Sequence, residues 1–282
     1  MPVIHDKKTL HKMLLAYRSK SDAIGLVPTM GALHEGHLSL VKKSLSDNAV
    51  TVVSIFVNPT QFNNKSDLKH YPKDLKTDVK LLYQLNNNII VFAPSITEAY
   101  EGNMVTKSFD FEGLDKVMEG AFRTNHFNGV ATIVALLFEI VAPQKAYFGE
   151  KDFQQLQIIK KLVQLRQIPV QIVSCPIARE AHGLARSSRN ERLSPATREK
   201  AGFIYKSLLT AKNKFGTENA SLIAKEIEAM YAEHPLFKLE YFEIAEADSL
   251  IPISIKSDSI AYRAFIAVYA DKVRLIDNIA LN

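Results

Sequence analysis

Two histidines separated by a glutamate and a glycine follow a short apolar segment near the start of the chain. His34 and His37 lie three positions apart, and residues 23–27 before them are apolar and partly β-branched, as in a buried parallel strand. Residues 38–45 then repeat apolar side chains at helical spacing. The two imidazoles are therefore predicted at a strand-to-helix junction. Free backbone N–H groups and the helix dipole favour an anion such as a phosphate at that place.

Two other interpretations of the histidine pair have to be weighed. Two histidines in a turn are most often only solvated polar surface. A zinc site is disfavoured, because the zinc-protease pattern His-Glu-x-x-His places its imidazoles one helical turn apart on a single face. Here the spacing is three, a glycine intervenes, and the sequence contains no cysteine pair or third cluster of ligands.

Two further polar clusters follow apolar segments of the same kind. Residues 58–62 come after a strand predicted at 50–57, and residues 149–155 come after one predicted at 146–148. The carboxyl ends of parallel strands share one edge of a sheet, and ligands bind in the crevice there. This convergence favours a ligand site over solvated surface for the histidines. The side chains expected on that edge are His34, His37, Asn58, Gln61, Lys151 and Gln155.

A fourth polar cluster spans residues 183–190 and contains Ser187, Ser188 and Arg189. One interpretation is a capped turn that begins a helix. The other is a mobile segment in which the two hydroxyls and the guanidinium hold phosphate groups. The sequence leaves both interpretations open.

The order of predicted elements indicates the fold class. Up to about residue 175, helical patterns alternate with strands at 23–27, 50–57, 89–92, 146–148 and 170–173, which favours an α/β fold with a doubly wound parallel sheet. Beyond this point, two helical patterns precede strand-like segments at 239–244, 261–269 and 273–276 that look antiparallel. We therefore expect one domain in residues 1–175 and a second, smaller α+β domain in residues 176–282. A dinucleotide fingerprint and a Walker loop are both absent from the sequence.

Composition limits the class of protein. The 282 residues are 47% hydrophobic and 23% charged, which is ordinary for a globular protein with a large core. The longest apolar stretch, residues 130–141, is too short to span a bilayer, and the first residues lack the pattern of a secretory signal. The single Cys175 fits a reducing compartment. We expect a cytoplasmic protein without a membrane partner.

The net charge of +5 raises nucleic-acid binding as an alternative. The sequence has no lysine-rich run and no aromatic RNA-binding signature. Its positive charge gathers locally between residues 179 and 200, which suits a polyphosphate better than a long backbone. A nucleic-acid partner is therefore not expected.

Several of these segments together resemble one known family. Residues 28–37 look like the His-x-Gly-His signature of nucleotidyltransferases, and residues 56–62, 71–74, 147–152 and 187–190 are similar to the pantoate–β-alanine ligases. The resemblance runs from about residue 20 to 195. It implies a Rossmann-like ATP-binding domain, a C-terminal lid domain and usually a homodimer. It also implies ATP-dependent ligation of pantoate to β-alanine through a pantoyl adenylate, with release of AMP and pyrophosphate.

The resemblance assigns roles to the candidate residues. The histidines would donate hydrogen bonds to the triphosphate, Lys151 would place a cation at the α-phosphate, and residues 187–189 would hold the departing pyrophosphate. The implied catalytic residues are His34, His37, Lys151, Ser187, Ser188 and Arg189. Further contacts to ATP are implied for Pro28, Thr29, Met30, Gly31, Gly149, Asp152 and Ala178.

The organic substrates would meet a different set of side chains. Gln61 and Gln155 would orient pantoate, and Arg123 would attract the β-alanine carboxylate. The implied substrate-binding residues are Met30, Asn58, Gln61, Phe62, Arg123 and Gln155. Mg²⁺ is expected to enter with ATP rather than at a metal site of the protein, with Asp78 as the only candidate contact.

The sequence also departs from the family pattern. His182 stands where an acidic residue is usual, which leaves the charge of the 183–190 segment open, and Thr124 and Asn125 replace a commoner Pro-Gly. The alternative function is another adenylyl- or cytidylyltransferase of the same superfamily. Gln61 and Gln155 favour a small carboxylate acceptor over a phosphorylated one.

Overall fold

The computed structural model describes residues 3–20, 23–62, 68–69 and 71–282. The chain divides into two compact units. The first holds Met1–Asp115, Glu119–Glu150 and Gln155–Pro176, and the second holds Lys116–Met118, Lys151–Gln154 and Ile177–Asn282. Two short segments thus pack with the second unit although they precede residue 176 in the chain.

A parallel sheet forms the centre of the first unit. Within the described residues it has six strands: β1 (Val3–Ile4), β2 (Ile24–Thr29), β3 (Val50–Ile55), β4 (Ile89–Phe92), β5 (Lys145–Gly149) and β6 (Gln171–Cys175). Their order is β1-β4-β3-β2-β5-β6, and every pair of neighbours is parallel. The chain adds β3 and β4 on one side of β2, and β5 and β6 on the other. The direction of winding therefore reverses between β2 and β5, where open α/β sheets bind ligands.

Helices cover both faces of this sheet. The helices along this part of the chain are α1 (Lys7–Arg18), α2 (Glu35–Asp47), α3 (Leu75–Leu85), α4 (Ile96–Tyr100), α5 (Met118–Phe122), α6 (His126–Val141) and α7 (Phe153–Arg166). Right-handed crossovers put α2 and α3 on one face and α1, α6 and α7 on the other. The contacts of α2 with α3 and of α1 with α6 agree with this arrangement. The predicted doubly wound, Rossmann-like fold is confirmed.

The central strands are apolar along their whole length because both of their faces are buried. On one face, Val27, Val53 and Val91 from three strands pack with Val41 of α2 and Leu82 of α3. All five side chains are fully buried. This core fixes the helices, and with them the loops at the carboxyl ends of the strands.

The strand predicted at 23–27 stops before Pro28, but β2 continues through Pro28 to Thr29. Strand β5 pairs only with Gly25 and Leu26, so Pro28 lies beyond that ladder. The missing N–H of the proline therefore removes no hydrogen bond to β5.

The second unit, all of whose residues are described, contains a three-stranded antiparallel sheet in the order β7-β8-β9. Its elements are β7 (Lys238–Glu246), β8 (Tyr262–Ala270), β9 (Val273–Ala280), α8 (Pro195–Lys200), α9 (Gly202–Phe215) and α10 (Ala220–Ala232). Helix α9 packs on β8 and β9, and α10 packs on β7. Leu208, Ile223, Ile227 and Ile266 are fully buried in the shared core. The predicted smaller α+β region is confirmed.

None of the helices in the described part of the chain is both long enough and apolar enough to cross a membrane.

Candidate active site

The two histidines lie where β2 meets α2 and hold each other in place. His34 is the N-cap of α2, and its Nδ1 accepts a hydrogen bond from the Gly36 amide at 3.1 Å. The His34 amide in turn donates to Nδ1 of His37 at 3.3 Å. A neutral imidazole that accepts at Nδ1 carries its proton on Nε2. The turn therefore presents two Nε2–H donors on rings whose centroids lie 4.1 Å apart.

A buried carboxylate on α3 fixes the same turn. Oδ2 of Asp78 accepts from the Ala32 amide at 3.0 Å, and Oδ1 accepts from the Leu33 amide at 2.7 Å. Burial raises the pKa of Asp78, and these two amide bonds oppose the rise. Gly31 passes close to this carboxylate with φ of 80°, and a Cβ there would lie 2.9 Å from Oδ2. Asp78 thus holds the histidine turn through its hydrogen bonds to two backbone amides. Its contact with Mg²⁺ stays a prediction.

The second polar cluster follows β3 as a short 3₁₀ turn, Pro59–Gln61. Nε2 of Gln61 donates to Sδ of Met30 at 2.8 Å, and Oε1 of Gln61 accepts from Nδ2 of Asn58 at 3.2 Å. The structure therefore brings Gln61 and Met30, two of the predicted substrate contacts, against each other. Each bond uses one of the two positions available on the donor or acceptor atom of the glutamine.

Asn58 supports the Pro59–Gln61 turn through its side-chain amide. Its Nδ2 donates to Gln61 and to the Gly129 carbonyl at 3.1 Å, and its Oδ1 accepts from Tyr100 at 2.6 Å and Thr60 at 3.1 Å. These four bonds use the full capacity of a primary amide. The Asn58 side chain therefore positions Gln61, and its contact with substrate stays a prediction.

Helix α6 supports the Pro59–Gln61 turn from behind. Nδ1 of the buried His126 donates to the Gln61 carbonyl at 2.8 Å. A Cβ on Gly129 would lie 2.3 Å from the Thr60 carbonyl oxygen, so only glycine permits this approach. His126 and Tyr100 were not predicted from the sequence as part of the site. The one sequence signal that could have pointed to His126 is a polar residue at the start of an otherwise apolar helical pattern.

The remaining first-unit candidates divide into two groups. Thr29 ends β2, where its hydroxyl donates to the Ser54 carbonyl at 2.8 Å and accepts from the Gly31 amide at 3.2 Å. Gly149 ends β5, and the half-buried Gln155 lies in the first turn of α7. Because β3, β2 and β5 are adjacent and parallel, the turns after these strands share one edge of the sheet.

Two candidates lie away from the strand ends. The Phe62 ring meets the Tyr71 ring edge-on, with centroids 5.6 Å apart. Arg123 lies just after α5, and its Nη1 is 4.0 Å from Oε2 of Glu119. A β-alanine carboxylate would have to share this arginine with that glutamate.

Lys151 and Asp152 pack within the second unit. Nζ of Lys151 lies 3.5 Å from Oδ1 of Asp152, and the lysine side chain is 18% exposed. The predicted convergence of Lys151 with the histidines concerns both units and stays a prediction.

Residues 178–186 form a tight hairpin that precedes the serine pair. The Arg186 amide donates to the Ala178 carbonyl at 2.9 Å, and the Glu180 amide donates to the Leu184 carbonyl at 2.8 Å. Ser187 then caps the 3₁₀ helix Ser188–Arg192. Local geometry thus fits the capped-turn interpretation, and phosphate contact by Ser187, Ser188 and Arg189 remains a prediction.

A charged network centred on Glu180 holds this segment. Oε1 of Glu180 accepts from Arg186 at 2.8 Å, Arg198 at 2.9 Å and Asn190 at 3.0 Å, and Oε2 accepts from Arg198 at 3.1 Å. Burial alone would raise the pKa of Glu180, but the hydrogen bonds from these three side chains outweigh it and lower the pKa to about 2. Glu191 also accepts from Arg198, at 2.8 and 3.1 Å. The Glu180 carboxylate therefore joins the hairpin, the 3₁₀ helix and α8.

His182, the departure from the family pattern, contacts the same region. Its exposed ring donates from Nε2 to the Arg198 carbonyl at 2.9 Å. The imidazole thus attaches the tip of the hairpin to the backbone of α8.

The fold and the first-unit site together define a class of protein. A doubly wound parallel sheet with imidazole donors at a helix N-terminus beside its switch point is an arrangement suited to binding nucleotide phosphates. Among the described residues, no group of three or more His, Cys, Asp and Glu side chains is arranged to hold a metal ion.

Comparisons with known proteins give the family. Residues 2–280 match the family model described as pantoate-beta-alanine ligase. The pantothenate synthetase of Christiangramia forsetii is 53% identical over 282 residues, covering 100% of both chains. That of Flavobacterium psychrophilum is 52% identical over 280 residues, covering 99% of both. This chain belongs to the pantoate–β-alanine ligase family.

Solved structures agree with that membership. The pantothenate synthetase of Thermus thermophilus has a TM-score of 0.91 and 38% identity, covering 100% of this chain and 99% of its own. A pantoate-beta-alanine ligase from Francisella tularensis, complexed with beta-gamma ATP and beta-alanine, has a TM-score of 0.80 and 37% identity. That match covers 100% of this chain and 98% of the other.

Proposed function

We infer that this chain joins pantoate to β-alanine with consumption of ATP, through a pantoyl adenylate, and releases pantothenate, AMP and pyrophosphate. The observation that carries this function is the family match across residues 2–280. The chain is an AMP-forming ligase that makes a carbon–nitrogen bond.

The chemistry explains why ATP is needed. A carboxylate is a poor electrophile, so the pantoate oxygen first attacks the α-phosphorus and pyrophosphate leaves. The β-alanine amine then attacks the acyl carbon of the adenylate and expels AMP. Phosphoryl transfer of this kind requires little covalent help from the protein, so positioning and charge stabilisation supply most of the acceleration.

The histidine turn is proposed to bind the triphosphate. His34 and His37 both accept at Nδ1, so their Nε2–H groups are donors for phosphate oxygens that gain charge at the α-phosphorus. Asp78 and the Gly31 turn keep these rings in place before ATP arrives. The end of β2 and of β5 would line the nucleotide through Pro28, Thr29, Met30, Gly31 and Gly149.

Pantoate is proposed to bind at the Pro59–Gln61 turn. Gln61 retains one donor and one acceptor position beyond its bonds to Met30 and Asn58, and a neutral amide can orient a carboxylate without trapping it as an ion pair. Gln155 would supply the second amide. Met30 and Phe62 would contact the gem-dimethyl group, and Arg123 would attract the β-alanine carboxylate.

The second unit is proposed to supply positive charge and hydroxyl donors. Lys151 would neutralise the α-phosphate, while Ser187, Ser188 and Arg189 would hold pyrophosphate through charge-assisted hydrogen bonds. Asp152 and Ala178 complete the proposed contacts to ATP. The Glu180 network supports this role because it fixes the hairpin from which the serine pair continues.

Three further properties are proposed for the working enzyme. ATP is used as its Mg²⁺ complex, since Mg²⁺ prefers phosphate oxygens and water. The chain forms a homodimer, which light scattering on the purified protein would test. It works in the cytoplasm, in agreement with its single, buried and unpaired Cys175.

Pantoate-dependent exchange of labelled pyrophosphate into ATP tests the function. We expect exchange only when pantoate is present. Labelled pyrophosphate enters ATP by reversal of the step that forms the pantoyl adenylate, and that step requires pantoate. Addition of β-alanine should then yield AMP and pantothenate in equal amounts. Exchange that is independent of pantoate would overturn the assignment in favour of another adenylyltransferase.

A further inference from the structure

The last strand of the second unit holds the backbone of Lys151. Asn278 lies on β9 with its side chain buried, and its Nδ2 donates to the Lys151 carbonyl at 2.9 Å. The other end of the same amide accepts a hydrogen bond from Nη1 of the buried Arg263. The guanidinium of Arg263 packs on the Phe153 ring at 4.0 Å, two residues beyond Lys151. The Lys151 segment is thus held by one buried amide and the arginine that orients it.

The residue before Asn278 forms a buried ion pair that fixes this part of β9. Arg179 donates to both oxygens of Asp277, at 2.6 and 3.0 Å. The backbone N–H of Asn278 donates to Oδ1 of Asp277 at 2.8 Å. Arg179 also donates to the backbone carbonyl of Asn278 at 3.3 Å. Burial raises the pKa of Asp277, while Arg179 and the charge of Lys151 oppose that rise. The ion pair therefore holds both the backbone N–H and the backbone carbonyl of Asn278.

The same ion pair also reaches the segment that carries the serine pair. Arg179 belongs to the 178–186 hairpin, where its backbone forms an antiparallel β-bridge with Ala185. Its guanidinium donates to the Gly183 carbonyl at 3.0 Å. The 3₁₀ helix Ser188–Arg192 contacts β9. Both second-unit segments proposed to meet the phosphates are therefore anchored on the Asp277–Asn278 step of β9.

We propose that Asn278 is a positioning residue for Lys151: its buried amide sets the lysine backbone from which the cation reaches the α-phosphate, and the Arg179–Asp277 pair holds that amide in place. This inference rests on the proposed role of Lys151. A lysine side chain has several rotatable bonds, so its charge is delivered accurately only if its backbone is fixed. Displacement of a catalytic group by about 1 Å can cost on the order of a hundredfold in rate.

The test variant is Asn278→Asp. Aspartate has nearly the same shape and still accepts from Arg263, but it places an acceptor instead of a donor against the Lys151 carbonyl. We expect pantoate-dependent exchange at saturating ATP to fall by about tenfold or more, within the range that misplacement of a catalytic group produces. The kcat/KM for β-alanine should change little, because β-alanine takes no part in the adenylate step.

A double-mutant cycle separates positioning from general damage. If Asn278 acts through Lys151, Asn278→Asp should change the exchange rate by less than about twofold in a Lys151→Ala background, since coupled residues are not additive. Ser207→Ala is the matched control. It removes another buried hydrogen bond of the second unit, between the Ser207 and Tyr231 hydroxyls at 2.9 Å, and should lower thermal stability without slowing exchange.

The outcomes distinguish the proposed role of Lys151 in catalysis from the positioning role of Asn278. Normal exchange by Lys151→Ala would overturn the role of Lys151, and the inference with it. Slow exchange by Lys151→Ala together with a full, additive loss from Asn278→Asp would overturn only the positioning role. Unchanged exchange by a folded Asn278→Asp protein would do the same. If that variant does not fold, Asn278→Ala, which leaves a space instead of a repulsive contact, replaces it in the same cycle.

Discussion

The turn that carries His34 and His37 and the segment that carries the serine pair are both proposed to contact phosphate, but they are held in different ways. The histidine turn is fixed by hydrogen bonds among neighbouring residues and by one carboxylate that accepts from backbone amides. The 178–192 segment is fixed by a network of charges in which Glu180 receives bonds from Arg186 and Arg198.

The difference shows two ways of preparing a binding site in advance. The histidine turn depends on hydrogen bonds that its backbone amides donate to its own two imidazoles and to the Asp78 carboxylate of α3. The 178–192 segment depends on ion pairs, whose strength changes with protonation and salt. We expect loss of the Glu180 charge to weaken the whole 178–192 segment. The histidine turn should weaken only where a specific donor or acceptor is removed.

The largest effect is expected from the histidine turn. His34→Ala and His34→Asn should each slow pantoate-dependent exchange by about 10²–10³, the usual cost of one lost transition-state donor. Asparagine is a good N-cap, so the free energy of unfolding should fall only for alanine, by about 1 kcal/mol. Exchange and urea unfolding of both variants measure this. Normal exchange by His34→Asn would show that His34 serves only as a helix cap.

The second effect concerns the charged network around Glu180. The pKa of Glu180 falls from 4.5 to about 2 on folding, so its ionised form stabilises the protein above about pH 4.5, and this stabilisation disappears as the pH falls toward 2. At neutral pH the shift corresponds to at most about 3–4 kcal/mol, since each pKa unit is worth about 1.4 kcal/mol. Glu180→Gln should remove this stabilisation.

Urea unfolding of wild type and Glu180→Gln between about pH 2 and 6 measures the stabilisation that the ionised Glu180 carboxylate provides. The difference in unfolding free energy should shrink as the pH falls through that window. Glu191→Gln is the matched control, because Glu191 bonds the same Arg198 but its side chain is 62% exposed and should contribute little. An equal loss in both variants would contradict the special role of Glu180.

The smallest of the three effects is expected from Asp78→Asn. An amide can accept at only one of its two ends, so either the Ala32 or the Leu33 amide loses its partner, at a cost of about 1–3 kcal/mol. Exchange should slow by about tenfold as the imidazoles lose their support. Asp74→Asn, at the exposed N-cap of the same helix, should leave both quantities unchanged because asparagine caps as well as aspartate. Equal effects of the two substitutions would show that Asp78 only stabilises α3.

Much of the fold could be predicted because long periodic segments carry their own signal. The strands from β2 to β6 and the three antiparallel strands were all expected within a few residues of their observed bounds. Strand β1 was missed, since two residues show no periodicity and Val3–Ile4 becomes a strand only by pairing with β4. The short helices α4 and α5 were also missed, because five residues give too little apolar repeat.

The site was predictable only in part. Residue type and spacing pointed to the histidine pair, Asn58 and Gln61, but they did not indicate that the Asn58 amide makes four hydrogen bonds within the protein. The supporting role of Asp78 and the anchoring role of Asn278 carried no sequence signal. Each depends on a partner more than forty residues away in the chain.

The sequence by itself determined the alternation of strands and helices, the edge on which the polar turns of the first unit lie, and the resemblance to one ligase family. These follow from local periodicity and from the rule that parallel strands end at a common edge. Only the tertiary structure decided which polar groups support others and which remain available to a ligand. Hydrogen-bonding capacity is used up by partners brought together in space, and no local pattern of residues records that distribution.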